Sequence, residues 1–204
     1  METPLDTQVE APVNPPLETP SEVLGFATAF KYPFNRPVGL LNILWALIPI
    51  IGWFALGGYG VRIIQEFCKG QFKELPRFKF GDDLVLGFMM FIKGIPLMLA
   101  YGIITGILFK IHMVVGGLFE FFTAFLVLPV LVINYFVKET VASSFEFEVV
   151  KPVFSHLGDY IIAMLKSLAL GIIFMFMWII LIGISAGAFS KNIFLADFYR
   201  RRVK

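Results

Sequence analysis

Four long apolar stretches dominate this chain, at residues 38–59, 84–109, 113–137 and 161–189. Each meets or exceeds the roughly 20 residues that an α-helix needs to cross a bilayer core about 30 Å thick. A chain of 204 residues, 58% of them hydrophobic and with a mean hydropathy of +0.81, carries more apolar surface than one soluble core can bury. The excess must face lipid. The stretches are continuously apolar, whereas the strands of a membrane barrel alternate apolar and polar residues over about ten positions. The expected fold is therefore all-α: a polytopic integral membrane protein with about four transmembrane helices and interfacial amphipathic connections.

Residues 1–23 read differently. They combine Pro4, Pro12, Pro15, Pro16 and Pro20 with Glu2, Asp6, Glu10, Glu18 and Glu22 and contain no apolar core resembling a signal peptide, which predicts a disordered acidic tail. Residues 24–204 then form a single helical transmembrane domain. Within it, Pro49, Pro96 and Pro129 each remove a backbone donor and free the carbonyl four residues earlier, so kinks are expected in three of the four stretches. The fourth contains Gly171, Gly183 and Gly187, with Ser185, Ala186 and Ala188 beside them, a surface suited to close helix contact. The single cysteine, Cys68, rules out an intrachain disulfide.

The densest charge cluster, "GYGVRIIQEFCKGQFKELPRFKFGDD", separates the first two stretches. Helical spacing puts Arg62, Glu66 and Lys69 on one face and Ile63, Ile64, Phe67 and Cys68 on the other, predicting a short amphipathic helix over 61–69 on the membrane surface. Helical order should end at Leu75-Pro76, and Asp82 is placed to cap the next helix. Asp159 plays the same part at the head of the last stretch. Arg62, Lys69, Arg77 and Lys79 are the expected contacts for lipid headgroups or a partner.

These motifs also carry a resemblance. "GYGVRIIQEFCKG", "ELPRF" and "GDDL", followed by "SSFEFEVV" and "GDYI", with "YPFNRP" before the first stretch and "ADFYR" near the end, resemble a prokaryotic family of small multi-spanning membrane proteins catalogued only as a domain of unknown function. The similarity runs from about Ala29 onward. Arg77 and Lys79 stand where that family's pattern leads one to expect acids, and the final apolar region is short for it. The resemblance implies a membrane location and a helical fold, and brings no activity with it.

If all four stretches cross, the Lys and Arg residues divide almost evenly between the two sides and set no orientation. If the last stretch turns back as a re-entrant pair, Lys191, Arg200, Arg201, Arg202 and Lys204 join the cations of the connections, and the positive-inside rule places residues 62–83 in the cytoplasm. An unbroken apolar run there is more simply one long tilted helix.

Two charges inside apolar stretches are the nearest approach to a functional signal. Lys93 lies roughly 14 Å into the second stretch and Glu120 roughly 10 Å into the third, counted at about 1.5 Å per residue. As a pair they would relieve two expensive burials, and they could line a polar pathway; alternatively Lys93 snorkels and Glu120 reaches the near surface. Asn134 reads as a helix-to-helix hydrogen bond. His112, His156 and Cys68 are scattered, no phosphate loop or nucleophile motif appears, and neither catalysis nor a cofactor or metal is expected. A basic soluble domain for nucleic acid is missing, and "YRRRVK" suits anionic lipid headgroups. The leading expectation is a non-enzymatic scaffold or accessory subunit in the cell membrane, with a membrane-protein partner or as a homo-oligomer. The alternative is a small permease or channel using Lys93 and Glu120.

Overall fold

A computed structural model of the chain describes residues 23–71, 73–176 and 182–203, which are mostly helical with no strand among them. The expected disordered tail lies outside the described residues except for Val23. Among the described residues ten α-helices follow in order: α1 Phe26–Lys31, α2 Pro37–Leu40, α3 Ile51–Cys68, α4 Phe80–Ile111, α5 Met113–Phe122, α6 Leu128–Lys138, α7 Lys151–Ser155, α8 Leu157–Phe176, α9 Ile182–Ser190 and α10 Ile193–Arg202. Among the described residues, three helical rods are long and apolar enough to cross a membrane: α4, the continuous Met113–Lys138 rod of α5 and α6, and α8. The all-α membrane class therefore holds, with three such rods where four were expected.

The first apolar stretch accounts for the difference, because it is a hairpin. Helix α2 runs on as tighter turns through Leu41–Leu47 and stops at residues 48–50. Pro49 has no N–H to continue the ladder, and Ile50 takes a positive φ of 66° that no helix tolerates. Gly52 then lets α3 start against the strand of chain it has just left: a Cβ there would fall 1.8 Å from the Trp45 carbonyl oxygen. Trp53 Nε1 closes the turn by donating to the Ala46 carbonyl at 3.1 Å. Both arms of the hairpin end at the same place, since Gly39 packs on Leu75 and the Tyr59 hydroxyl donates to the Pro76 carbonyl at 3.0 Å. The tip exposes Leu47, Ile50 and Trp53, which suits lipid and not water. Residues 61–69 are accordingly no separate surface helix: α3 passes straight through "ALGGYG" to Cys68.

Helix α4 packs antiparallel on α3 with their backbones in close contact. A Cβ on Gly58 would lie 1.9 Å from the Asp83 carbonyl oxygen, and one on Gly87 would lie 1.9 Å from that of Phe54. Only glycine fits either position. The chain turns at His112, whose Nδ1 accepts the Val114 N–H at 3.2 Å, and returns as α5 and α6. The Pro129 kink takes the form of a π-turn over Thr123–Val127. Proline at 129 orphans the Phe125 carbonyl, and the Tyr160 hydroxyl donates to it at 2.6 Å.

The last apolar stretch also doubles back. Helix α8 ends at Phe176, and α9 returns with Gly187 against Phe174. Helix α10 continues down α8, with Phe198 edge-on to Tyr160 at 5.1 Å and Arg202 paired with Asp159. Of the two alternatives for this stretch, one long tilted helix or a pair that turns back, the return of α9 and α10 along α8 fits the second, and the basic residues of α10 lie beside the head of α8. The aromatic core, including Tyr59, Phe67, Tyr160 and Phe198, sits where the two hairpins and α10 meet.

The glycine contact predicts a contrast between neighbours. Gly58→Ala should lower stability by about 1–3 kcal/mol through overpacking, whereas Gly57→Ala, whose Cβ would meet nothing within 4 Å, should be neutral or slightly stabilising. Thermal unfolding of the detergent-solubilised variants measures both.

Candidate functional site

Residues 73–79 leave α3 without regular structure, so their carbonyls need donors from elsewhere. Four side chains supply them. Asn35 Nδ2 donates to the Lys73 carbonyl at 2.7 Å, Arg36 Nη1 to Leu75 at 3.2 Å, the Tyr59 hydroxyl to Pro76 at 3.0 Å and Arg62 Nη2 to Arg77 at 2.7 Å. Beneath this strap Leu75 is fully buried. Arg62 also pairs with Asp83 at 2.7 Å, and the same Asp83 Oδ2 accepts the Lys79 N–H at 2.7 Å, closing the first turn of α4.

Two expectations change here. The helix cap is Asp83, 1% exposed, whereas Asp82 is exposed and forms only a 3.7 Å pair with Lys79. Arg62 is no surface contact, because its side chain is 18% exposed and held by Asp83 and Arg77. Arg77 and Lys79 do stand exposed on the strap, and Lys69 stands exposed at the end of α3.

A second polar cluster joins α6, the 139–150 connection and α10. Asn134, fully buried, donates through Nδ2 to the Ser143 carbonyl at 2.7 Å and to Glu146 Oε2 at 3.1 Å, and its Oδ1 accepts from the Tyr199 hydroxyl at 2.5 Å. Asn134 is therefore the inter-helix hydrogen bond that its position suggested. Burial pushes the Tyr199 hydroxyl up to about 12, so it remains the donor. Hydrogen bonds from Lys138 and then Asn134 hold the Glu146 carboxyl below its ordinary range. Nearby, Asp197 accepts from Arg200 at 2.8 Å, from Arg201 at 2.9 Å and from the Leu24 N–H at 3.3 Å. Asp159 receives Arg202, so this first-turn acid is engaged by the tail. Cys68 is buried, its Sγ 3.8 Å from the Ala196 carbonyl oxygen.

Lys93 and Glu120 are not brought together. Lys93 Nζ donates at 2.9 Å to the carbonyl of Glu139, which ends α6 in the left-handed conformation at φ 54°. Gln65 Nε2 donates to the Glu139 carboxylate and to the Phe136 carbonyl, each at 2.7 Å. Register explains the miss. Tyr101 stacks on Phe119, so Phe119, next to Glu120, lies level with a point eight residues past Lys93, about 12 Å along α4. Glu120 is exposed on the outer face of α5. Between α3, α4 and α6 runs a groove of about 670 Å³, but its walls are apolar and include Trp53, Phe54, Met90, Tyr101 and Tyr135.

A family model described as "Protein of unknown function (DUF4013)" matches residues 41–183. The chain belongs to the DUF4013 family. No curated protein and no solved structure matches it. The matched residues of this DUF4013 chain span the first hairpin from Leu41, the strap, α4 to α8 and the start of α9; Asn35, Arg36 and α10 lie outside them. The dispersed motifs on which the resemblance rests meet in space: "YPFNRP", "GYGVR", "LPRF" and "GDD" all contribute to the strap. Sequence reasoning read Arg62 and the acids singly. The available signal was the three-residue spacing of Tyr59 and Arg62, which puts both on the α3 face that meets the strap.

Removing Arg62 leaves Asp83 buried without its partner, so Arg62→Met should destabilise by about 3–5 kcal/mol, while Arg77→Ala, whose side chain is exposed, should stay within about 0.5 kcal/mol. Denaturation of the two variants in the same detergent compares them directly.

Proposed function

We propose that this DUF4013 protein is a non-enzymatic membrane scaffold or accessory subunit of the cell membrane, presenting a rigid polar cap to a partner or to anionic headgroups. One observation carries the reading: the half-buried Arg62 and the buried Asp83, Asn134, Asp197 and Tyr199 each make at least one hydrogen bond or ion pair that holds segments of the cap together. Outward, the exposed cations Lys69, Lys73, Arg77 and Lys79 outnumber the exposed acids Glu74 and Asp82. The permease reading drew on a Lys93–Glu120 pair, and Lys93 is instead bonded to a helix-end carbonyl.

The cap faces the cytoplasm in this proposal. Arg36, Arg62, Lys73, Arg77, Lys138, Arg200, Arg201 and Arg202 all belong to the contacts that build it, while Lys110 stands at the opposite end of α4 beside the His112 turn. That asymmetry is the one the positive-inside rule describes.

Single cysteines in a Cys68→Ser background test the orientation: Lys110→Cys should react with an impermeant maleimide added to intact cells, and Lys79→Cys only after permeabilisation. The reverse pattern would contradict it. For the scaffold itself, a photo-crosslinker placed at Arg77 should trap one defined protein or lipid species in mild detergent. Recovery of the uncrosslinked chain alone, together with liposome flux abolished by Lys93→Met, would favour the permease instead.

A further inference from the structure

The groove between α3, α4 and α6 runs along α4 from Gly87 to Tyr101, within the apolar length of a helix long enough to cross the membrane. Ile50, Trp53 and Gly57 wall it on the side of the first hairpin, and Leu128, Val132 and Phe136 wall it on the other. Two polar groups of its lining are turned to the protein's own backbone: the Trp53 indole N–H donates to the Ala46 carbonyl, and the Tyr135 hydroxyl to that of Met90. Water there would find few partners, and an empty groove would forfeit the dispersion contacts of its wall atoms. The filler this space calls for is hydrocarbon, and at membrane depth two forms of it are at hand, an acyl chain or a helix of a second copy.

Shape decides between them. The step from Gly87 to Tyr101 rises about 21 Å at ~1.5 Å per residue, so a groove of about 670 Å³ has a mean cross-section of roughly 30 Å². A helix 10–12 Å across needs about 80 Å² or more. A hydrocarbon chain, whose carbons meet their neighbours at about 4 Å, needs only about 15–20 Å². The lining agrees. Helices in membranes approach one another through small residues, whereas here Gly87 and Gly94 are buried and the exposed lining includes the bulky Ile50, Trp53, Phe91 and Met98. These side chains also belong to the lipid-facing surface of the hairpin and α4, so the groove is continuous with the acyl region of the bilayer and open to entry from the side.

We propose that this groove holds one acyl chain of a membrane phospholipid, which completes the packing of α6 against α3 and α4 and is recognised by its chain and not by its headgroup. The site is separate from the polar cap, and the proposal stands independently of the scaffold reading. Delipidated full-length protein in detergent, titrated with dioleoylphosphatidylethanolamine and followed by native mass spectrometry, should take up one lipid ahead of any others. Gly57 supplies the variant, because it lines the groove and a Cβ there would meet nothing within 4 Å. Gly57→Leu should weaken that binding about tenfold or more, while Gly171→Leu, equally open on α8, leaves it unchanged. Dioleoylphosphatidylglycerol should bind equally well, and dihexanoylphosphatidylethanolamine about tenfold more weakly or worse, since a short chain leaves most of the groove unfilled. A phosphatidylethanolamine carrying a diazirine in mid-chain should, in the unsubstituted protein, label residues 90–98 and 128–136 in preference to α8. Binding unaltered by Gly57→Leu, together with label spread evenly over α4 and α8, would overturn the site. A tenfold preference for one headgroup would overturn recognition by the chain. A dimer that Gly57→Leu separates into monomers would overturn the lipid as occupant, in favour of a second copy's helix.

Discussion

Backbone carbonyls that leave a helix must find donors, and at residues 73–79 they find them in side chains from both arms of the first hairpin. Asn35 and Arg36 approach from before the turn at Ile50, and Tyr59 and Arg62 from after it. This single requirement ties the hairpin shut at its base. It also sets the height of α3 against α4, because Arg62 reaches Asp83 only where Gly58 and Gly87 let the two backbones touch. The second cluster extends the same platform to α6 and α10 through Asn134 and Tyr199.

Much of this was legible in the sequence. Continuous apolar runs correctly gave a helical membrane class, and the spans starting at 84 and 113 correspond to real rods. The effect of Pro129 was also visible in principle: the carbonyl it frees is that of Phe125, and only the donor, Tyr160, required the fold. The direction of the chain was less accessible. Hydropathy counts apolar residues in a window and is blind to a reversal inside it, so the first stretch read as a crossing although it turns back, and the last was left open between one crossing and a re-entrant pair. Pro49 was read as a kink. It becomes a reversal because Ile50 adopts a positive φ and Gly52 admits the Trp45 carbonyl, neither of which composition encodes.

Pairings across the fold failed for a related reason. Depth counted from the end of a stretch assumes that the stretch begins at the membrane surface, and α4 starts four residues before its apolar window while α6 stops at Lys138. Lys93 consequently lies level with the end of α6, where the Glu139 carbonyl receives it, and Glu120 lies farther along. The cap on α4 shifted by a single residue, from Asp82 to Asp83, because only Asp83 faces Arg62 as well as the Lys79 amide.

The picture that results is two hairpins and one long helical pair gathered at a polar platform, with basic residues concentrated there. The sidedness of the first hairpin tests it most directly. Single cysteines at the exposed positions Pro37 and Arg77, introduced separately into the Cys68→Ser chain, should be labelled by an impermeant reagent from the same side of the membrane. Labelling from opposite sides would mean that residues 38–59 cross the bilayer, and the strapped hairpin would be wrong.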